Sequence, residues 1–184
     1  MTESPLTSSS SQRSGMIPYP PRIVVLDGFT MNPGDLSWEA LSTLGDVVRY
    51  DRSLPSEVVP RTRGFHIAVT NKESFDRGAM EQLPDLRMIA ITATGHDRID
   101  IPAARETGIT VCNVPAYSTE SVAEHVFALL LAVARRAEWH DRLVRQGDWI
   151  RCPDFCFYAA PQHEWAGQSL GVVGWGQIGQ HVGQ

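Results

Sequence analysis

Five short apolar runs, with segments of helical spacing between them, constrain this chain more than any other feature. Ile23-Val24-Val25-Leu26 ends at Asp27-Gly28 and has the uninterrupted β-branched character of a strand buried on both faces. Similar runs stand at Val47–Tyr50, His66–Val69, Met88–Ile91 and Thr110–Cys112. Between them, Trp38, Leu41 and Leu44 recur at one-turn intervals, and a second helical segment covers Ser74 to Leu83, stopped by Pro84. A third runs from Asp100 to Gly108, with Pro102 tolerated in its first turn. Parallel strands need such crossovers, so the alternation predicts an α/β domain with about five parallel strands.

Composition narrows the function classes. The 184 residues are 42% hydrophobic and 20% charged, the balance of a chain able to bury a core. Sixteen basic and 21 acidic residues leave a formal charge of −5, which argues against a nucleic-acid or anionic-membrane surface. Cys112, Cys152 and Cys156 form no even disulfide framework and suit a reducing cytoplasm. No stretch reaches the ~18 uninterrupted apolar residues of a membrane helix. Residues 1–21 are dominated by Ser, Thr and Pro and are read as a disordered tail without the apolar core of a signal peptide.

After the fifth run comes the longest predicted helix. Val122, Val126, Leu129, Leu130 and Val133 form one apolar stripe, Ser118 or Thr119 is a natural N-cap, and Arg135-Arg136 close the other end. From Asp148 to Gly167, aromatic residues interleave with prolines and predict an irregular, aromatic-anchored loop. A strand over Ser169–Val173 then leads into Gly174-Trp175-Gly176-Gln177-Ile178-Gly179, a match to G-x-G-x-x-G in the strand-then-helix context of a dinucleotide fingerprint. In that geometry Gly174 makes the tight turn, Gly176 lets backbone approach a diphosphate, and Gly179 permits close packing. The plainer alternative is a glycine-rich connection without a ligand.

The stretch from Ala93 to Gly179 resembles the D-isomer-specific 2-hydroxyacid dehydrogenases, in their glycerate dehydrogenase or hydroxypyruvate reductase branch. The residues that carry the resemblance are Ala93–Asp100, Gly108–Tyr117 and Ser121–His125 running into the leucine-rich helix, followed by Trp149, Pro153–Cys156 and the glycine motif. Val69–Lys72 and the first strand fit upstream. The resemblance implies a flavodoxin-like substrate domain over 22–116 followed by the start of a Rossmann-type dinucleotide-binding domain over 117–184. It also implies NAD or NADP as cofactor, hydride exchange with hydroxypyruvate, glyoxylate or D-glycerate, and a homodimer in the full-length form. Substrate contacts would fall on Asn71, Lys72, Thr94 and Gly95. Cofactor contacts would fall on Thr94, Tyr117, Thr119, Gly174, Gly176, Gln177, Ile178 and Gly179. Thr94-Gly95 can offer backbone N–H groups to a carboxylate, although Gly95 has a second reading as a glycine needed for positive φ.

The family's catalytic arginine, glutamate and histidine belong downstream of the glycine motif, so no residue of this chain is assigned as catalytic, including its six histidines. The expectation is therefore a C-terminally truncated, inactive member of an oxidoreductase lineage. The rival is a non-catalytic dimerising or binding module derived from it. Cys152, Cys156 and His163 are read as part of a packed loop, and no metal site is expected.

Overall fold

The computed structural model describes residues 16–184; most of the tail over 1–21 lies outside the described residues. The chain divides between Pro115 and Ala116 into two compact units. The first contains β1 (Arg22–Val25), α1 (Gly28–Met31), α2 (Glu39–Ser42), β2 (Asp46–Arg49), α3 (Pro55–Thr62), β3 (Ile67–Thr70), α4 (Arg77–Glu81), β4 (Met88–Ile91), α5 (Ile101–Glu106) and β5 (Thr110–Cys112). All strand pairs are parallel, in the order β2-β1-β3-β4-β5, which is the flavodoxin-like arrangement.

Successive strand residues point to opposite faces, and β1 feeds two cores. Val24 and Leu26 join Ala68, Ile89, Ile91, Phe75, Met80 and Leu83 on one face. Ile23 and Val25 join Val69 on the other, where Met31, Trp38 and Leu41 cover them. Each such side chain fully buried contributes about 1.5–3 kcal/mol, so a strand with no polar face is consistent only with a central position.

Helix boundaries follow local chemistry. Asp76 caps α4 by accepting the Ala79 N–H at 2.7 Å, and Asp100 caps α5 through the Ala103 N–H at 2.9 Å. The sequence raised no expectation for α3. It starts with Pro55 at its first position, and the Glu57 carboxylate reaches back to the Leu54 N–H at 2.8 Å. Val58 and Thr62 bury its inner face despite Pro60.

The second unit contains α6 (Thr119–Arg135), α7 (Ala137–Arg145), α8 (Asp148–Arg151) and α9 (Gln177–Val182). Ser118 stands at the N-cap of α6 but makes no side-chain cap; its carbonyl accepts from the Ser121 hydroxyl instead. Arg136, at φ 52°, ends α6 and starts the unforeseen α7. The loop after α8 is anchored by aromatic contacts, with Phe157 5.9 Å from Trp149 and 6.1 Å from His140. The strand expected over Ser169–Val173 is not formed: those residues enter no sheet in the described chain. An apolar β-prone run becomes a strand only beside a neighbouring strand, and every paired strand here belongs to the first unit. Of the described residues in the second unit only Ala123, on α6, and Val182, on α9, are buried; these two helices pack together.

Candidate functional site

The carboxyl ends of β1, β3 and β4 bring together most of the polar groups singled out from the sequence in the first unit. Asp27, one residue past Leu26 at the end of β1, is 3% exposed. Both its carboxylate oxygens accept the Asn71 N–H, at 2.9 and 3.0 Å, and one accepts the Lys72 N–H at 2.7 Å. The Asn71 side-chain amide donates to the Thr30 hydroxyl at 3.2 Å, and that hydroxyl donates to the Asp27 carbonyl at 2.9 Å. Glu73 follows, its N–H donating to the Thr70 hydroxyl at 3.0 Å. Burial and then the like charge of Asp27 push the Glu73 carboxyl above its ordinary range, while Arg98 and Arg61 oppose the rise.

The loop after β3 is tied to the loop after β4 by a parallel bridge between Phe75 and Ile99. In it Phe75 N–H donates to the Arg98 carbonyl at 3.1 Å and Asp100 N–H donates to the Phe75 carbonyl at 3.0 Å. Lys72, Glu73 and Arg98 line a cavity of about 430 Å³ whose other walls are Pro55, Val58 and Val59 of α3 and Gly78 and Ala79 of α4. Thr94 is held from two sides: its hydroxyl donates to the Val114 carbonyl at 3.0 Å, and its carbonyl accepts from the Asn113 amide at 2.8 Å. The N–H groups of Thr94 and Gly95 have no partner among the described residues, and both residues are exposed. Gly95 does not have positive φ, so that reading of it is set aside; a Cβ there would meet only the Asp97 carboxylate, at 3.3 Å. The Thr92 hydroxyl, beside this edge, is buried without a partner among the described residues.

The second unit holds the remaining sequence-selected residues. Tyr117 is exposed, and the Thr119 hydroxyl donates to the carbonyl of Ala116, which itself adopts φ 58°. In the glycine motif Gly174 has φ 100°, a left-handed turn that favours glycine. A Cβ on Gly176 would find no heavy atom within 4 Å, whereas one on Gly179 would overlap the Gly174 carbonyl oxygen. The turn then opens into α9, so Gln177 and Ile178 begin a helix. Open space at the middle glycine and tight packing at the last fit a diphosphate cradle, although the segment before it is unpaired.

Asp27 is the residue that sequence reading missed. A carboxylate before Gly28 reads as a turn residue, and its partners lie 44 and 45 residues away.

A doubly wound sheet with polar groups at its carboxyl edge defines an α/β ligand-binding domain. Over residues 23–167 the chain matches the model of the D-isomer specific 2-hydroxyacid dehydrogenase catalytic domain, and it belongs to that family. It is 40% identical over 166 residues to a hydroxypyruvate reductase of Blautia hydrogenotrophica, covering 89% of this chain and 52% of that one. It is also 40% identical over 128 residues to a glycerate dehydrogenase of Methylorubrum extorquens, covering 70% and 41%. Among solved structures, a glyoxylate/hydroxypyruvate reductase of Sinorhizobium meliloti in complex with NADP and malonate superposes with a TM-score of 0.65 at 28% identity, covering 89% of this chain and 49% of that one. The chain thus spans about half the length of the relatives it matches.

Proposed function

We propose that the first unit is the substrate domain, and the second the opening of the NAD(P)-binding domain, of an enzyme that reduces hydroxypyruvate or glyoxylate, or oxidises D-glycerate. The observation that carries this reading is the pair of unpartnered, exposed N–H groups at Thr94 and Gly95, fixed by Asn113 and Val114 at the carboxyl end of β4. Two adjacent amides of this kind suit a small carboxylate. Lys72 adds a positive charge from the neighbouring loop, and Asn71 orients that loop through Thr30. The similarity to hydroxypyruvate and glyoxylate reductases supports the choice of a two- or three-carbon 2-keto acid.

Gly174, Gly176, Gln177, Ile178 and Gly179 would hold the diphosphate of NAD or NADP, with Thr94, Tyr117 and Thr119 as the other nucleotide contacts. The cofactor, when bound, supplies the hydride. The residues of this chain bind and orient; none is assigned to proton transfer, and the 184 residues alone are expected to be inactive. A cytoplasmic location fits the unpaired cysteines.

The test is an amide NMR titration of the chain with oxalate, an unreactive mimic of a 2-keto acid. Thr94 and Gly95 resonances should shift at millimolar concentrations. No shift there would refute the carboxylate site. NADH oxidation with hydroxypyruvate by the purified chain would refute the expected inactivity.

A second reading, an association module, draws on α6. Leu129 and Val133 are 56% and 78% exposed on one of its faces. The same face would serve a homodimer of the full-length enzyme.

A further inference from the structure

The order β2-β1-β3 makes the carboxyl ends of β1 and β3 the switch point of the sheet, the crevice where ligands of open α/β sheets enter. Two consecutive amides, Asn71 and Lys72, meet there, and such a pair favours an anion. The anion is the protein's own. Asp27, 3% exposed, accepts both amides at distances of 2.7–3.0 Å. The next amide, Glu73, is taken by the Thr70 hydroxyl.

We infer that Asp27 is a positioning residue: an internal carboxylate that fills the switch-point crevice, closes it to ligands and fixes the backbone of residues 71–73. The inference rests on the carboxylate site proposed above and deepens it. At the sheet edge the Asn71 and Lys72 amides are filled by Asp27, whereas those of Thr94 and Gly95, with the following His96 and Asp97, have no partner among the described residues. A substrate carboxylate is therefore directed to the second pair, and the loop after β3 can reach it only through side chains. Charge-assisted hydrogen bonds to a buried carboxylate are the strong ones, and removing the acceptor leaves two part-buried donors without it. A small carboxylate of the same chemistry should be able to replace the missing side chain.

Amide hydrogen exchange, read residue by residue by NMR on the full 184-residue chain, tests this. In the unaltered chain Asn71 and Lys72 should exchange at least ~10-fold more slowly than Thr94 and Gly95, as hydrogen-bonded amides do. Asp27→Ala should abolish that difference, and formate should restore it. Ile89→Val, which loosens the same core, should show no response to formate. Equal exchange at the two amide pairs in the unaltered chain overturns the inference, even if Asp27→Ala does not fold. A folded Asp27→Ala chain that ignores formate overturns it as well, because a purely structural role would leave nothing to rescue. The oxalate titration reads Thr94 and Gly95 instead. Its failure would remove the substrate reading while leaving the filled crevice standing.

Discussion

Gly179 packs so tightly on Gly174 that a Cβ on the first would overlap the carbonyl oxygen of the second. Gly179→Ala must push α9 off the turn, an overpacking cost of about 1–3 kcal/mol. Gly176 is the opposite case, with extended backbone and open space where a Cβ would sit. Gly176→Ala should therefore change stability by no more than about 0.5 kcal/mol. It should still weaken NADH binding, because the methyl group would occupy the space proposed for the diphosphate. Exchange rates of the α9 amides report the first effect and a nucleotide titration the second. Loss of α9 protection in Gly176→Ala, or NADH affinity that the methyl leaves untouched, would contradict the cradle.

The raised carboxyl of Glu73 gives the carboxyl edge a pH dependence. Its folded carboxyl is held above the ordinary value of 4.5, first by burial and then by Asp27. The folded state thus binds its proton more tightly than the unfolded state, and the linked stability is full below the unfolded value. It is lost as pH rises through the folded one. Glu73→Gln removes the charge, so the variant should gain stability relative to the parent above that window and match it at lower pH. The side chain is only partly buried, and solvent screening keeps the gain small. Urea midpoints measured from below pH 4.5 upward would check this; a parent that becomes relatively more stable with rising pH would reverse the sign.

The sheet was legible in the sequence because β-branched runs buried on both faces carry no competing pattern. Each strand predicted in the first unit lies within one residue of where the backbone pairs. The long helix was legible for a similar reason, a stripe of five apolar positions ending at two arginines. Helix α3 was not, because Pro60 argues against a helix and the compensating contacts of Glu57 and Val58 exist only once the chain has folded. Residues 169–173 mark the reverse error. Their composition suits a strand, but a strand is a relationship with a neighbour and composition cannot supply one. At the candidate site, Thr94 and Gly95 were visible through resemblance. Asp27 was hidden because its role depends on a contact 44 residues away.

The buried Thr92 hydroxyl, beside the carboxyl edge, has no hydrogen-bond partner among the described residues. An unsatisfied buried hydroxyl costs about 1–3 kcal/mol, and valine replaces it with a methyl group of similar size. Thr92→Val should therefore stabilise the chain by about 1 kcal/mol, at the lower end of that range. Thermal unfolding of the two proteins side by side would decide. A lower Tm for the variant would mean that the hydroxyl has a partner.

On α6, Val122, Leu129 and Val133 fall on one face and are 36%, 56% and 78% exposed. An apolar face this open favours association, since burying it against a second copy recovers about 25 cal/mol per Å² of apolar area. Light scattering over a concentration series should accordingly show the chain leaving the monomer state as concentration rises. Val133→Lys places a charge at the most exposed of the three positions and should shift that onset to higher concentration. Because the position is exposed, the substitution should alter unfolding by no more than about 0.5 kcal/mol. A chain that stays monomeric throughout would sink both the association module and the use of this face in a dimer. Association unaffected by Val133→Lys would move the contact to another surface.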